Sequence, residues 1–340
     1  MSKKILVTGG TGYIGSHTII DLIENGFTPV SLDNGINSDA SILEQVEQIT
    51  GVKVKHYAVD LCDYDATRSI FEKESFDGVI HFAALKAVGE SVAYPFKYFR
   101  NNLNSTLNAL ELSKEFGVKA FIFSSSCTVY GNVESSPVTE STPLMDAASP
   151  YGRTKQMGEQ MIQDTIAENS LTKAIILRYF NPAGAHISGL IGEAPTNQAL
   201  NLVPVITETA IGKRPSMSVF GTDYPTRDGS CIRDYIHVMD LAHAHTLALK
   251  SILDDQQQIP IEIYNLGIGA GASVLEVIHA FESVTGQALN YVITERRPGD
   301  VVAIYANYEK AKTQLSWEPK YNIEDIMRTA WDWEIKRSKL

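Results

Sequence analysis

The feature that most constrains this chain is the apolar run Lys4-Ile5-Leu6-Val7-Thr8, followed by Gly9, Gly12 and Gly15. A short apolar run without alternation is the pattern of a strand buried on both faces of a parallel sheet. A helical pattern with Ile14, Ile19, Leu22 and Ile23 follows and stops at Asn25-Gly26. Pro29-Val30-Ser31-Leu32-Asp33 then reads as a second strand. Strand, glycine loop, helix and strand together form the unit that grips a dinucleotide. One glycine permits the turn, one admits the pyrophosphate to the backbone, and one lets the helix pack close. The helix start adds free N–H groups and a positive dipole end. The spacing here differs slightly from the commoner G-x-G-x-x-G.

Asp33 ends the second strand, where a carboxylate accepts ribose hydroxyls and repels a 2′-phosphate. The following Asn34-Gly35-Ile36-Asn37 supplies no Arg to receive such a phosphate, so NAD is expected rather than NADP. The rhythm continues with strands over 52–57, 77–82, 119–123 and 174–178, and helices over 63–73 and 98–116. Six strands with crossover helices predict the α/β class, as a doubly wound parallel sheet (Rossmann). Asp60 suits either an adenine amino group or a helix N-cap. Lys86 suits either a cofactor contact or a solvated loop. Ser124-Ser125-Ser126 suits either a turn or a hydroxyl facing the nicotinamide.

Ser149-Pro150 is a helix start signal, and Tyr151 and Lys155 follow four residues apart on one face. A free phenol has a pKa of about 10, and a neighbouring ammonium favours its phenolate. Alone, Tyr-x-x-x-Lys is an ordinary helix face. Behind a dinucleotide loop, and with Ser126 ending the fifth strand, it is expected to be an acid/base couple.

After Tyr179-Phe180-Asn181-Pro182-Ala183-Gly184 the rhythm breaks, and 185–235 is rich in Gly, Pro and polar residues. This predicts a smaller mixed α/β C-terminal substrate lobe. The expected division is 1–180 for the NAD-binding domain, with returning segments near 238–266, and 181–340 for the interleaved lobe. Arg233-Asp234-Tyr235 and Arg296-Arg297-Pro298-Gly299-Asp300 stand out. Two separated Arg can clamp a diphosphate while an Asp holds a ribose. On local sequence alone, surface salt bridges are the simpler reading.

With 40 acidic against 29 basic residues and a net charge of -11, no nucleic-acid partner is expected. Cys62, Cys127 and Cys231 are scattered without a C-x-x-C, as in a cytosolic protein with reduced thiols and no metal site. No stretch reaches the ~18 apolar residues of a membrane span. A cytoplasmic location and no membrane contact are expected.

Thr8-Gly9-Gly10-Thr11-Gly12-Tyr13-Ile14-Gly15, Ser124-Ser125-Ser126 and Tyr151-x-x-x-Lys155 resemble the extended short-chain dehydrogenase/reductases. Three further stretches are similar to the UDP-glucose 4-epimerases within that family. They are His81 to Ser91, Arg178-Tyr179-Phe180-Asn181-Pro182, and Gly221 through Val238. The landmarks run in the family's order from residue 4 to about residue 335.

The resemblance implies NAD-dependent, reversible epimerisation of UDP-galactose and UDP-glucose at C4, through a transient 4-keto sugar, in galactose metabolism. Tyr151 would take the C4 hydroxyl proton, Ser126 would bond the reacting oxygen, and Lys155 would hold the nicotinamide ribose and lower the Tyr pKa. Beside the loop glycines, Tyr13, Ile14, Asp33, Asn34, Asn37, Ser38, Asp60, Leu61, Phe82, Ala83, Ala84, Lys86, Asn101 and Phe180 would line the NAD site. Asn181, Asn201, Phe220, Arg233, Arg297 and Asp300 would hold the UDP-sugar, and Ile304 would gate the sugar pocket. The resemblance also implies a homodimer through a helix pair of the NAD domain.

Two departures are small: Leu200 stands where the family pairs Asn before Asn201, and Cys127 stands where Ala is common. Ile304 is intermediate between the Tyr of glucose/galactose enzymes and the small residue of those that accept N-acetyl sugars. The alternatives are therefore a UDP-N-acetylglucosamine 4-epimerase or another nucleotide-sugar enzyme of the superfamily, such as a 4,6-dehydratase or a uronate-processing enzyme. Related 4,6-dehydratases carry an Asp-Glu pair near the catalytic Ser/Thr, where this chain has Ser126-Cys127-Thr128. Non-catalytic NAD-binding regulators typically lack the Tyr/Lys pair that this chain retains.

Overall fold

Strand β1 (Lys4–Thr8) lies inside a parallel sheet, with Ile5, Leu6 and Val7 fully buried. The computed structural model describes residues 2–167, 170–195, 198–297 and 300–339. From β1 the chain runs through α1 (Tyr13–Glu24), β2 (Thr28–Leu32), α2 (Ile42–Thr50), β3 (Lys55–Tyr57) and α3 (Tyr64–Lys73). It continues through β4 (Gly78–His81), α4 (Val88–Ala93), α5 (Pro95–Glu115), β5 (Ala120–Ser126), α6 (Pro150–Thr165) and β6 (Lys173–Tyr179).

Next come β7 (Asn181–Ala183), α7 (Leu202–Ala210), β8 (Met217–Phe220), β9 (Ile232–Arg233), β10 (Tyr235–His237), α8 (Val238–Leu253) and β11 (Ile261–Leu266). The last elements are β12 (Ala272–Ser273), α9 (Val274–Thr285), β13 (Tyr291–Thr294), β14 (Ala303–Ile304), α10 (Glu309–Leu315) and α11 (Ile323–Arg337).

The seven-stranded sheet has the order β11-β6-β5-β4-β1-β2-β3, and its pairings are parallel. Strand order reverses between β1 and β4, which opens a crevice at the strands' C-terminal ends where doubly wound sheets take ligands. Alternate residues of each strand feed opposite faces. Ile5, Val7, Ile122, Ile175 and Leu177 pack against α1 and α8, while Leu6, Phe121, Phe123, Ala174 and Ile176 pack against α5 and α6. The chain therefore returns from the lobe over 238–266, with α8 to cover one face and β11 to extend the edge.

Several elements depart from the sequence pattern, each for a local reason. Ser124, Ser125 and Ser126 are no turn: they continue β5, paired with Leu177, Arg178 and Tyr179. Pairing in β3 begins only at Lys55, beyond the exposed Val52. α5 begins at Pro95 rather than Tyr98, since Pro is tolerated in a first helical turn. The segment 202–204 opens α7, where Pro204 falls in the first turn.

In the lobe, β7 pairs with β10, β8 with β13, and β9 lies between β12 and β14. Val203 and Ile206 of α7, Val277 and Phe281 of α9, and Ile326 and Met327 of α11 share one apolar core.

Candidate active site

The glycine loop caps the crevice. Gly9 has a left-handed φ of 70°, and a Cβ on Gly15 would stand 2.2 Å from the Gly9 carbonyl oxygen, so only glycine fits there. Gly12 precedes α1, and no side chain caps that helix end. Its first N–H groups, from Tyr13 and Ile14 onward, are thus available to an anion. The Asp33 carboxylate accepts from Gly35 N at 2.9 Å, Ser38 Oγ at 3.1 Å and Thr11 N at 3.3 Å. It braces the loop from the end of β2. Asn34 accepts from Ile36 N at 3.1 Å, and Asn37 is exposed beside it.

Asp60 is exposed and accepts from Cys62 N at 2.8 Å, while Asp63 is the N-cap of α3. The capping alternative for Asp60 therefore falls. Leu61 is buried next to it. Phe82, Ala83 and Ala84 leave β4 past the loop, with Phe82 N donating to Thr8 O at 3.1 Å. Lys86 is exposed, and its Nζ stands 3.7 Å from Glu193 Oε1. Asn101 donates to the Asn102 side chain at 3.0 Å. The buried Asn102 was no sequence candidate, yet it holds both the N–H and the carbonyl of Leu85, at 2.8 and 3.0 Å, and donates to Thr154 Oγ1 at 3.1 Å. It fastens the loop after β4 to the helix of Tyr151. Its sequence signal was a polar pair inside an otherwise amphipathic helix.

Ser149 starts α6 by accepting from Gly152 N at 3.1 Å, with Pro150 in the first turn. Tyr151 and Lys155 both lie on the buried side of that helix. Lys155 Nζ donates to Ser124 O at 2.7 Å and stands 5.9 Å from the Tyr151 ring centroid. Ser126 ends β5 as the N-cap of the turn that follows, its Oγ accepting from Thr128 N at 3.3 Å. Ser124 Oγ meets Tyr179 OH at 2.5 Å, a second phenol beside the first that the sequence did not single out as a site residue.

Burial raises the Tyr151 pKa, the nearby Tyr179 adds to the rise, and the Ser126 hydroxyl only partly offsets it. Burial also lowers Lys155, to about 8, against the opposing charge of Glu159. In the protein alone burial is the largest influence on Tyr151 and favours the neutral phenol, so the lowering by Lys155 that the resemblance implies does not govern it there.

Toward the lobe, Asn181 N donates to Asp234 O at 2.9 Å. Asn201 is exposed, and its Nδ2 donates to Glu193 Oε1 at 2.8 Å. Arg297 lies 5.4 Å from the Phe220 ring centroid and donates to Asp300 Oδ1 at 2.8 Å. Arg233 Nη2 approaches the same oxygen at 3.6 Å, while its Nη1 donates to Ile232 O and Val301 O at 2.8 and 2.7 Å. The two Arg therefore converge on Asp300. Pro298 and Gly299 lie outside the described residues. Asp234 is taken up by backbone, accepting from Ile268, Gly269 and Ala306 N–H groups at 2.7, 3.2 and 2.9 Å. Phe180 and Ile304 are buried in one apolar cluster, against which Cys127 packs.

A family model described as GDP-mannose 4,6 dehydratase matches residues 6–330. The chain is 48% identical over 336 residues to UDP-glucose 4-epimerase 2 of Arabidopsis thaliana, covering 98% of this chain and 95% of that protein. The chain belongs to the UDP-glucose 4-epimerase family. Its fold is similar to that of the Stenotrophomonas maltophila UDP-glucose-4-epimerase with bound NAD and formylated UDP-arabinopyranose. That match has a TM-score of 0.96 and 42% identity, and covers 99% of each chain. The Bifidobacterium longum UDP-glucose 4-epimerase in complex with NAD+ and UDP gives a TM-score of 0.94 and 45% identity, again covering 99% of each chain.

Proposed function

We propose that this chain is an NAD-dependent isomerase that interconverts UDP-galactose and UDP-glucose by inverting C4 through a transient 4-keto sugar. One observation carries the mechanism: Tyr151 is buried on α6 with Lys155 Nζ 5.9 Å from its ring centroid, and it packs with Leu85 of the loop that follows β4. The cradle fits NAD, since Gly15 leaves no room for a side chain, the start of α1 is uncapped, and Asp33 closes the loop without an Arg nearby for a 2′-phosphate. When bound against the glycine loop, the start of α1 and Asp33, NAD would supply a reversible hydride acceptor for C4.

The protein's own residues do the rest. Tyr151 carries the C4 hydroxyl proton away and gives it back. Ser126 holds the reacting oxygen in line with that phenol. Lys155 supplies the buried positive charge. Arg233 and Arg297 grip the diphosphate, so the nucleotide is fixed while the sugar turns and presents its other face. Asn181, Asn201, Phe220 and Asp300 complete the nucleotide-sugar grip.

Elimination chemistry is disfavoured because β5 runs into Cys127 and Thr128 without a carboxylate. Exposed Val92, Tyr94, Phe96, Leu107 and Met157, on or between α4, α5 and α6, support a homodimer through these helices. The three free cysteines are consistent with the cytoplasm, and among the described residues no helix is long and apolar enough to cross a membrane.

Purified protein is expected to convert UDP-galactose to UDP-glucose without added reductant, and faster than UDP-N-acetylgalactosamine to its epimer. Failure to convert either substrate would refute the assignment.

A further inference from the structure

Beneath the catalytic side chains lies a buried ion pair to which the mechanism above gives no task. Tyr151, Lys155 and Glu159 follow one another at four-residue steps, so they share a face of α6. The Glu159 and Arg178 side chains are only 2% and 4% exposed. Arg178 holds the carboxylate as a fork, Nε to Oε1 at 2.9 Å and Nη2 to Oε2 at 2.6 Å. Ser125 Oγ donates to the same Oε1 at 2.5 Å. Arg178 Nη1 also reaches Tyr130 OH at 3.2 Å, and that hydroxyl donates to Asn265 Oδ1 at 2.6 Å. The network thereby joins α6, β5, β6, the turn after β5 and β11.

Stability does not account for such a pair. Removing two charges from water costs about what their attraction returns, and well-packed apolar pairs often do as well or better. Its position is the informative part. Ser125 is the immediate neighbour of Ser126, so the bond to Glu159 fixes the end of β5 against the helix that carries Tyr151. Glu159 also lies one helical turn from Lys155, whose Nζ donates to the Ser124 carbonyl at 2.7 Å.

The titratable and charged groups around Lys155 are few. They are Tyr151 and Glu159 on α6, His81 on β4, Tyr98 on α5, Cys127 after β5, and Arg178 and Tyr179 on β6. His81 and the phenols are held neutral by burial, and burial raises the Cys127 thiol to about 12. Glu159 is the carboxylate that acts on the ammonium.

We propose that Glu159, clamped by Arg178 and Ser125, is a positioning residue for the epimerisation: it aligns Ser126 with Tyr151 and gives the buried Lys155 ammonium its counter-charge. This rests on Tyr151 and Lys155 working as the acid/base couple.

The test compares the NAD-loaded enzyme with Glu159→Gln and with Glu159→Gln/Arg178→Met, which removes the whole pair so that Arg178 is not left buried without its carboxylate. kcat and KM for UDP-galactose are measured from pH 6 to 10, with circular dichroism and bound NAD as checks on folding. Without Glu159 the Lys155 pKa falls, so the alkaline limb of kcat moves to lower pH by about one unit, a loss of about tenfold at pH 9. KM is expected to change less than twofold.

A double variant that folds, binds NAD and keeps the wild-type pH profile would overturn the proposal. So would failure of both variants to fold, which would assign the pair to stability alone. A wild-type enzyme inert toward UDP-galactose would instead refute the functional assignment, and this proposal with it.

Discussion

Arg233 and Ile304 are register partners, side by side in the parallel pairing of β9 and β14. Arg233 turns its guanidinium toward Asp300, 3.6 Å away, while Ile304 is buried in the cluster that holds Phe180. One pair of two-residue strands thus joins the Arg proposed to grip the diphosphate to the apolar wall proposed for the sugar pocket. Trimming the wall need not loosen the grip, because Arg233 is anchored by the carbonyls of Ile232 and Val301.

Ile304→Cys is therefore expected to raise turnover of UDP-N-acetylgalactosamine relative to UDP-galactose by about tenfold, the discrimination typical of a methylene or two in an apolar pocket. KM for UDP-galactose should stay within about twofold, since uniform binding is untouched. Paired assays on the two substrates give the ratio. An unchanged ratio would remove Ile304 from the gate.

The Arg pair should act on binding more than on chemistry. Arg297→Ala and Arg233→Ala are each expected to raise KM by about tenfold or more with kcat nearly kept, as for an interaction equal in ground and transition states. Arg233→Ala should be the more damaging, because it also strips the donors from two backbone carbonyls. Rate measurements across substrate concentration separate the two constants. A fall in kcat alone would contradict a diphosphate grip.

Much of the sheet was legible in the sequence because parallel strands buried on both faces read as uninterrupted apolar runs. Tyr151, Lys155 and the glycine loop were legible because local rules place them: a start signal at Ser149-Pro150, a four-residue step, and three glycines between strand and helix. What stayed hidden depends on contacts far apart in the chain. Asn102 reaches Leu85 and Thr154, and Glu159 reaches Ser125 and Arg178, without any short-range motif. The direction of the Tyr151 shift was hidden for the same reason. A helix face suggests the neighbouring ammonium, but only the fold supplies the burial that dominates the shift.

Tyr151→Phe should lose about 10²–10⁴ in kcat, the usual worth of a positioned acid/base group. Tyr151→Phe keeps the buried ring, so melting temperature and bound NAD should be little changed. Single-turnover assays with UDP-galactose, alongside NAD release on denaturation, test both halves. A variant that converts substrate as fast as wild type would rule out Tyr151 as the proton carrier.

Glu74 sets the acid limit of the strand that carries the glycine loop. Its carboxylate accepts from Lys4 Nζ at 2.6 Å, from Tyr57 OH at 2.8 Å and from Lys55, so it ties β1 to β3 at the end of α3. The hydrogen bonds from Lys4 and Lys55 lower its pKa from 4.5 to about 2. A carboxylate held below its unfolded value stabilises the fold fully above the unfolded pKa, and that contribution is lost as pH falls through the folded one. The loss should therefore run from pH 4.5 down to about 2. Glu74→Gln is expected to melt about 2–4 °C lower than wild type at pH 7, a shift of the size one lost buried contact gives a chain this long. The difference should shrink as pH drops and vanish near pH 2. Part of it should be lost in high salt, because Lys55 is 57% exposed. Thermal unfolding followed by circular dichroism at stepped pH measures this directly. A gap between wild type and variant that stays constant down to pH 2.5 would show that Glu74 acts through packing, not through its charge.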